Sequence, residues 1–166
     1  MTSVTRGRVK LEQMAVSCQI DALQADHRRF HALLDQLEEH LGNLYEGKWT
    51  DYAQVVQVLE QLAQGCKTFR DHSRRENALF RQLDPQAGRP LLVHDALVRQ
   101  RRRVSGYRIA LEQKLCAMVN RTENPYHGSL EDAIRTYSTG LRAQIAFEEY
   151  VMYPLASVFL DDGVAD

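Results

Sequence analysis

An all-α fold, an up-down-up-down antiparallel four-helix bundle, is what this 166-residue sequence predicts. Three observations carry the prediction. Three clusters of turn residues divide the chain into four segments of roughly 30 residues, about 45 Å each as helix. Apolar residues recur within each segment at alternating three- and four-residue steps, a helical and not a strand period. Glycine and proline are scarce between the breaks, so long helices joined by short connections are expected to pack as antiparallel neighbours.

The breaks are Glu46-Gly47-Lys48-Trp49-Thr50, then Asp84 to Pro90, then Asn120 to Ser129 with Asn124-Pro125 and Gly128 inside it. Thr50 and Ser129 suit helix N-caps and Pro90 suits a first turn. The first stripe reads Ile20, Leu23, Phe30, Leu34, Leu37, Leu41, Leu44; the second Val55, Leu59, Leu62, Cys66, Phe69, Phe80, Leu83. The third is Leu97, Val104, Leu111, Leu115, Met118, and the fourth Leu130, Ile134, Tyr137, Leu141, Val151, Leu155. Residues 1–15 and 163–166 are expected to be tails flanking one bundle domain over 16–162. Pro154 removes a backbone donor within the fourth segment, so a kink just beyond Glu148 is expected.

Composition narrows the function classes. The formal net charge is −1, which gives no global electrostatic case for nucleic acid or an acidic membrane surface. No run of about 18 apolar residues exists to span a membrane, and MTSVTRGRVK lacks the apolar core of a signal peptide, so a cytoplasmic protein is expected. Cys18, Cys66 and Cys116 fall in no CxxC spacing and read as buried small hydrophobes in a reducing compartment. The basic run Arg99-Gln100-Arg101-Arg102-Arg103, with Arg108, reads as a solvated helix face. Tyr107 and Tyr150 read as core or rim packing.

Each apolar stripe is interrupted by a polar residue. His27 stands between Leu23 and Phe30, His72 and Glu76 follow Phe69, His94 precedes Leu97, and Gln144 and Glu148 stand between Leu141 and Val151. Burying such groups without partners costs a few kcal/mol for a neutral group and more for a charge. Counted from the turns, the depths of His27 and His72 match, as do those of Glu76 and His94; helices three and four disagree by about 8 Å at 1.5 Å per residue. A metal ion would satisfy them together. His72 and Glu76 are four apart and share a helix face. Nitrogen and oxygen donors suit iron, manganese or zinc, and a bridging carboxylate favours a pair of ions. The alternative is a metal-free His–Glu hydrogen-bond network.

Four stretches resemble, in order, the helices of the hemerythrin-like (HHE cation-binding) family: LQADHRRFHALLDQLEEHL, FRDHSRRENALFRQL, LLVHDALV and AFEEYVMYPLA. The resemblance covers about residues 20–160. It implies two non-haem iron ions with an oxo or hydroxo bridge, His27, His72 and His94 as ligands, and Glu76 and Glu148 as bridging carboxylates. Two positions depart from the family. Gln144 stands where the fourth helix usually carries histidine, and Val98 where oxygen carriers have a second histidine on the third helix. His31, one turn beyond His27, is the candidate to replace the ligand absent at Gln144. If neither binds, the site is open to small molecules, holds a single iron or prefers another divalent metal.

These readings lead to a protein that binds or senses oxygen, nitric oxide, a peroxide, or iron or redox state, as a monomer or homodimer. A di-iron enzyme reducing nitric oxide or peroxide, or repairing iron–sulfur centres, is the second reading. A degenerate member with a weakened site is the third.

Overall fold

The computed structural model of the chain describes residues 3–45, 52–87, 92–120 and 127–162. They form α1 (Ser3–Tyr45), α2 (Tyr52–Ala87), α3 (Leu92–Val119) and α4 (His127–Phe147), the last continued by a π-helical segment (Glu148–Met152) and α5 (Tyr153–Asp162). No strand occurs among the described residues. Each of the four rods packs on two others: α1 on α2 and α4, and α3 on α2 and α4. This is the four-helix bundle that the stripes predict.

Boundaries differ from expectation in three places. α1 starts at Ser3, so most of the stretch expected as a tail continues the first helix. Its Arg, Lys, Leu, Glu, Gln and Met residues all have good helix propensity, and it holds no proline. α2 runs through Pro85 to Ala87. α4 starts at His127, which puts Ser129 inside its first turn and not at its cap. Thr50, Pro90 and the terminal residues 163–166 lie outside the described residues.

The core has two apolar layers. The larger unites Phe30, Leu34 and Leu37 of α1, Val55, Val58 and Leu62 of α2, Val104, Leu111 and Leu115 of α3, and Leu130, Ile134, Tyr137, Leu141 and Ile145 of α4. The smaller joins Val16, Leu23, Leu79, Phe80, Leu97, Met152, Tyr153 and Ala156. Along α1 and α3 the chain passes from the smaller layer to the larger; along α2 and α4 it passes the other way. That alternation is the antiparallel order of the rods. Among the described residues, the buried polar Asp26, His27, His72, Glu76 and Glu148 fall between the two layers in sequence, and Gln144 lies one turn before Glu148, at the edge of the larger layer.

The π-helical segment replaces the expected kink. Tyr153 donates its backbone N–H to the Glu148 carbonyl, five residues back, immediately before Pro154, which has no N–H to donate. One extra residue in that turn shifts the inward face. Val151, expected in the seam, is 36% exposed, while Met152, Tyr153 and Ala156 are buried. The cysteines also depart from expectation: Cys18 and Cys116 are exposed and Cys66 is half-buried, all three as free thiols.

Leu34 is fully buried in the larger layer. Leu34→Ala is expected to cost about 2–5 kcal/mol of unfolding free energy, read from the urea midpoint at constant slope.

Candidate metal centre

The polar layer is built one helix at a time. α1 contributes Asp26 and His27, α2 His72 and Glu76, α4 Gln144, and the π-helical segment Glu148 and Glu149. His72 and Glu76 lie one turn apart, with His72 Nε2 3.8 Å from Glu76 Oε2. The two imidazoles face each other, ring centroids 4.9 Å apart.

Glu148 is the hub. Its Oε2 lies 2.9 Å from His27 Nε2 and 3.3 Å from His72 Nε2. Its Oε1 accepts the Gln144 amide N–H at 2.8 Å. Each histidine is backed on its other nitrogen by a carboxylate: His27 Nδ1 by Glu149 Oε1 at 2.8 Å, and His72 Nδ1 by Asp26 Oδ2 at 3.3 Å. With a metal bound, a carboxylate at Nδ1 would hold the proton there and leave the Nε2 lone pair for the ion; without one, a protonated ring donates from Nε2 to Glu148. Asp26 is itself held by Arg75 and by Arg29, the latter at 3.2 Å.

The donors fit a cation. One ligand atom each from His27, His72 and Glu148 lies within 4.8 Å of the others, and all three residues are buried. Two further buried oxygens, Glu76 Oε1 and Gln144 Oε1, have no hydrogen-bond partner among the described residues. Both are acceptors, so a donor or a cation is what they need. Two imidazole nitrogens with carboxylate and amide oxygens, and no thiolate, are a donor set for a first-row transition metal such as iron, manganese or zinc.

Of the other predicted residues, His31 falls elsewhere. His31 is half-buried on the α1–α4 flank, where its Nδ1 accepts from Arg142 at 3.1 Å. Arg142 also reaches Asp35 and Glu38. His94 lies in the first turn of α3, and its side chain is outside the described residues. Tyr150 is exposed, and Tyr107 packs beside Gly140 and Val104 in the α3–α4 contact.

Four participants were not anticipated. Tyr153 stacks on His27, centroids 5.7 Å apart, with its hydroxyl 3.3 Å from His27 Nε2. Glu149 and Asp26 back the histidines, and each is the sequence neighbour of a predicted residue. Arg101, expected on a solvated face, turns inward to pair with Glu76 and donates to Asn77 Oδ1 at 2.8 Å. Arg101 left a signal, as a polar residue in the seam gap between Leu97 and Val104.

Electrostatics follow from this packing. Burial opposes ionisation of Glu148, yet hydrogen bonds from His27 and His72, the charge of His72 and the Gln144 amide bring its pKa down to about 2. Burial likewise opposes charge on His27, but Glu148 and Glu149 outweigh it and raise the pKa above 6.5. Tyr153 is pushed well above its ordinary 10, by burial first and then by the Glu148 and Glu149 charges. It is a neutral O–H donor at any ordinary pH.

These features define a bundle with a buried, cation-binding donor cluster. The model of the hemerythrin HHE cation-binding domain matches residues 18–156, and the chain belongs to that family. Neither the curated proteins nor the solved structures compared with it gave a match.

In the metal-free protein the two shifts act at opposite ends of the pH scale. The Glu148 contribution is present above its ordinary 4.5 and is lost as pH falls toward 2. The His27 contribution is complete below 6.5 and is lost as pH rises through its raised value. The urea midpoint of metal-free protein is therefore expected to fall as pH rises from 6.5 through the raised His27 pKa. His27→Gln is expected to flatten that limb.

Proposed function

We propose that this chain is a cytoplasmic iron-binding protein whose buried centre binds or senses a small oxidant: oxygen, nitric oxide or a peroxide. His27, His72 and Glu148 hold the metal, with Glu76 and Gln144 beside them. The observation that carries this is the triad itself, three donors converging on one point with both histidines braced behind by carboxylates. Iron supplies the redox and diatomic-binding chemistry when bound.

The chain's own residues shape what can reach that point. Phe30 packs against both histidines, with centroids 6.5 Å from His27 and 5.5 Å from His72, and excludes water from that side. Tyr153 covers another side and offers its hydroxyl proton to an anionic ligand. Two grooves, of about 410 and 280 Å³, run along α3 and α4 beside Tyr107 and include no residue of the cluster. A diatomic or peroxide-sized ligand suits such a buried position. No described helix is long and apolar enough to cross a membrane, and three free thiols suit a reducing compartment.

One observation favours an enzyme as the second reading. Reduction of peroxide or nitric oxide needs a proton source near the metal, and the Tyr153 hydroxyl is placed to be one. Tyr153→Phe separates the two readings: a sensor keeps its ligand affinity within a few fold, whereas an enzyme loses turnover by about 10²-fold or more.

Protein purified from iron-supplemented cells is expected to carry iron, and removing it should lower the thermal midpoint. A ligand bound only by the folded state adds about 4 kcal/mol at a thousandfold excess over Kd. Equal midpoints with and without iron would contradict the proposal. Asp26→Asn, which weakens the brace on His72, is expected to reduce iron affinity about 10- to 100-fold, measured by competition with a chelator.

A further inference from the structure

Among the described side chains of α3, Arg101 enters the polar layer, standing between Leu97 of the smaller apolar layer and Val104 of the larger. His94 is seven residues earlier, about 10 Å along the helix axis. At the depth where α1, α2 and α4 present histidines and carboxylates, α3 presents a guanidinium.

Two ions bridged by two carboxylates need both oxygens of each carboxylate turned to metal. Here each carboxylate has one oxygen taken. Glu148 turns Oε2 to the histidines while Oε1 accepts the Gln144 amide. A carboxylate only accepts, so the amide nitrogen must be the atom facing it. Glu76 leaves Oε1 unpartnered while Oε2 accepts from Arg101 Nη2. Asn77 anchors the other arm of the same guanidinium. A guanidinium stays charged at any ordinary pH.

We propose that Arg101 takes the place of a second metal ion, so that the centre holds a single ion on His27, His72, Glu148 and Glu76 Oε1. The Arg101 cation balances the carboxylate that would otherwise bridge. A second dication would have to displace the guanidinium from Glu76 and would then sit beside a like charge in a buried layer with little screening. Gln144 fits the same arrangement: where a histidine would ligate a second ion, its amide closes the free oxygen of Glu148. The proposal rests on the iron-binding reading above and settles how many ions that site takes.

The test counts metal. Ferrous iron without oxygen, and separately zinc as a redox-silent probe, is titrated into metal-free full-length chain, and bound metal is measured by elemental mass spectrometry after desalting. Saturation at a single ion per chain is expected, with a mononuclear high-spin ferric EPR signal after oxidation of the iron form. Arg101→Lys keeps the charge and should keep the single ion. Arg101→Gln combined with Gln144→His frees the second oxygens and should take up two ions. Arg101→Gln alone should lower the metal-free thermal midpoint, because it leaves a buried carboxylate unpaired; a purely structural role would lower that midpoint without altering the count in the double variant. Two ions on the unaltered chain, or a single ion on a folded double variant, would overturn the proposal and leave the iron-binding reading standing. If the double variant does not fold, the count on the unaltered chain decides. No uptake of either metal would remove that reading and this proposal together.

Discussion

The structure depends on the burial of the Glu148 carboxylate. An isolated carboxylate in an apolar core is costly enough that it normally takes up a proton. This one stays ionised because two imidazoles and an amide converge on it from α1, α2 and α4. The convergence sets the depth at which the rods meet and divides the core into an apolar layer above and one below. The braces behind the histidines extend the same logic outward. Asp26 and Glu149 lie between the buried ring nitrogens and the partly exposed Arg75 and solvent. Charges thus alternate in sign from the centre to the surface.

The π-helical segment is the local device that completes the centre. In a regular α-helix adjacent residues point about 100° apart, and Glu148 and Glu149 would not both address one ring. In the wider turn, the first reaches His27 Nε2 and the second His27 Nδ1. The same shift carries Tyr153 inward over that ring and leaves Tyr150 and Val151 outside. Single-turn π bulges occur often at functional sites, and Pro154 gives this one a physical cause, since the proline cannot close the α-type bond that would restore the ordinary turn.

Much of this was legible in the sequence because it depends on period. Stripes of Leu, Ile, Val and Phe at helical spacing specify four helices and their inward faces, and a histidine or carboxylate within a stripe must be buried wherever the stripe is. That argument located His27, His72, Glu76, Gln144 and Glu148 in one layer. It failed where period is not the controlling quantity. Val151, placed in the seam, is exposed and Tyr153 faces inward instead, because Pro154 marks a break in the helix without saying which way the face turns. Arg101 was hidden in a run of arginines of which Arg99, Arg102 and Arg103 are exposed; its place four residues after Leu97 and three before Val104 is what distinguishes it. The depth mismatch of about 8 Å between helices three and four, at 1.5 Å per residue, was a usable warning. At the depth of the layer α3 carries Arg101, seven residues beyond His94, whose side chain lies outside the described residues. Cys18 and Cys116, read as buried, are exposed because nothing in their spacing ties them to a stripe.

The central claim is that a metal ion sits among His27, His72 and Glu148. Diffraction from crystals grown with ferrous iron, recorded on both sides of the iron absorption edge, tests it directly. The account predicts an anomalous peak within bonding distance of His27 Nε2, His72 Nε2 and a Glu148 carboxylate oxygen. Ordered side chains at this layer with no iron peak between them, or iron found only at surface thiols and carboxylates, would contradict it.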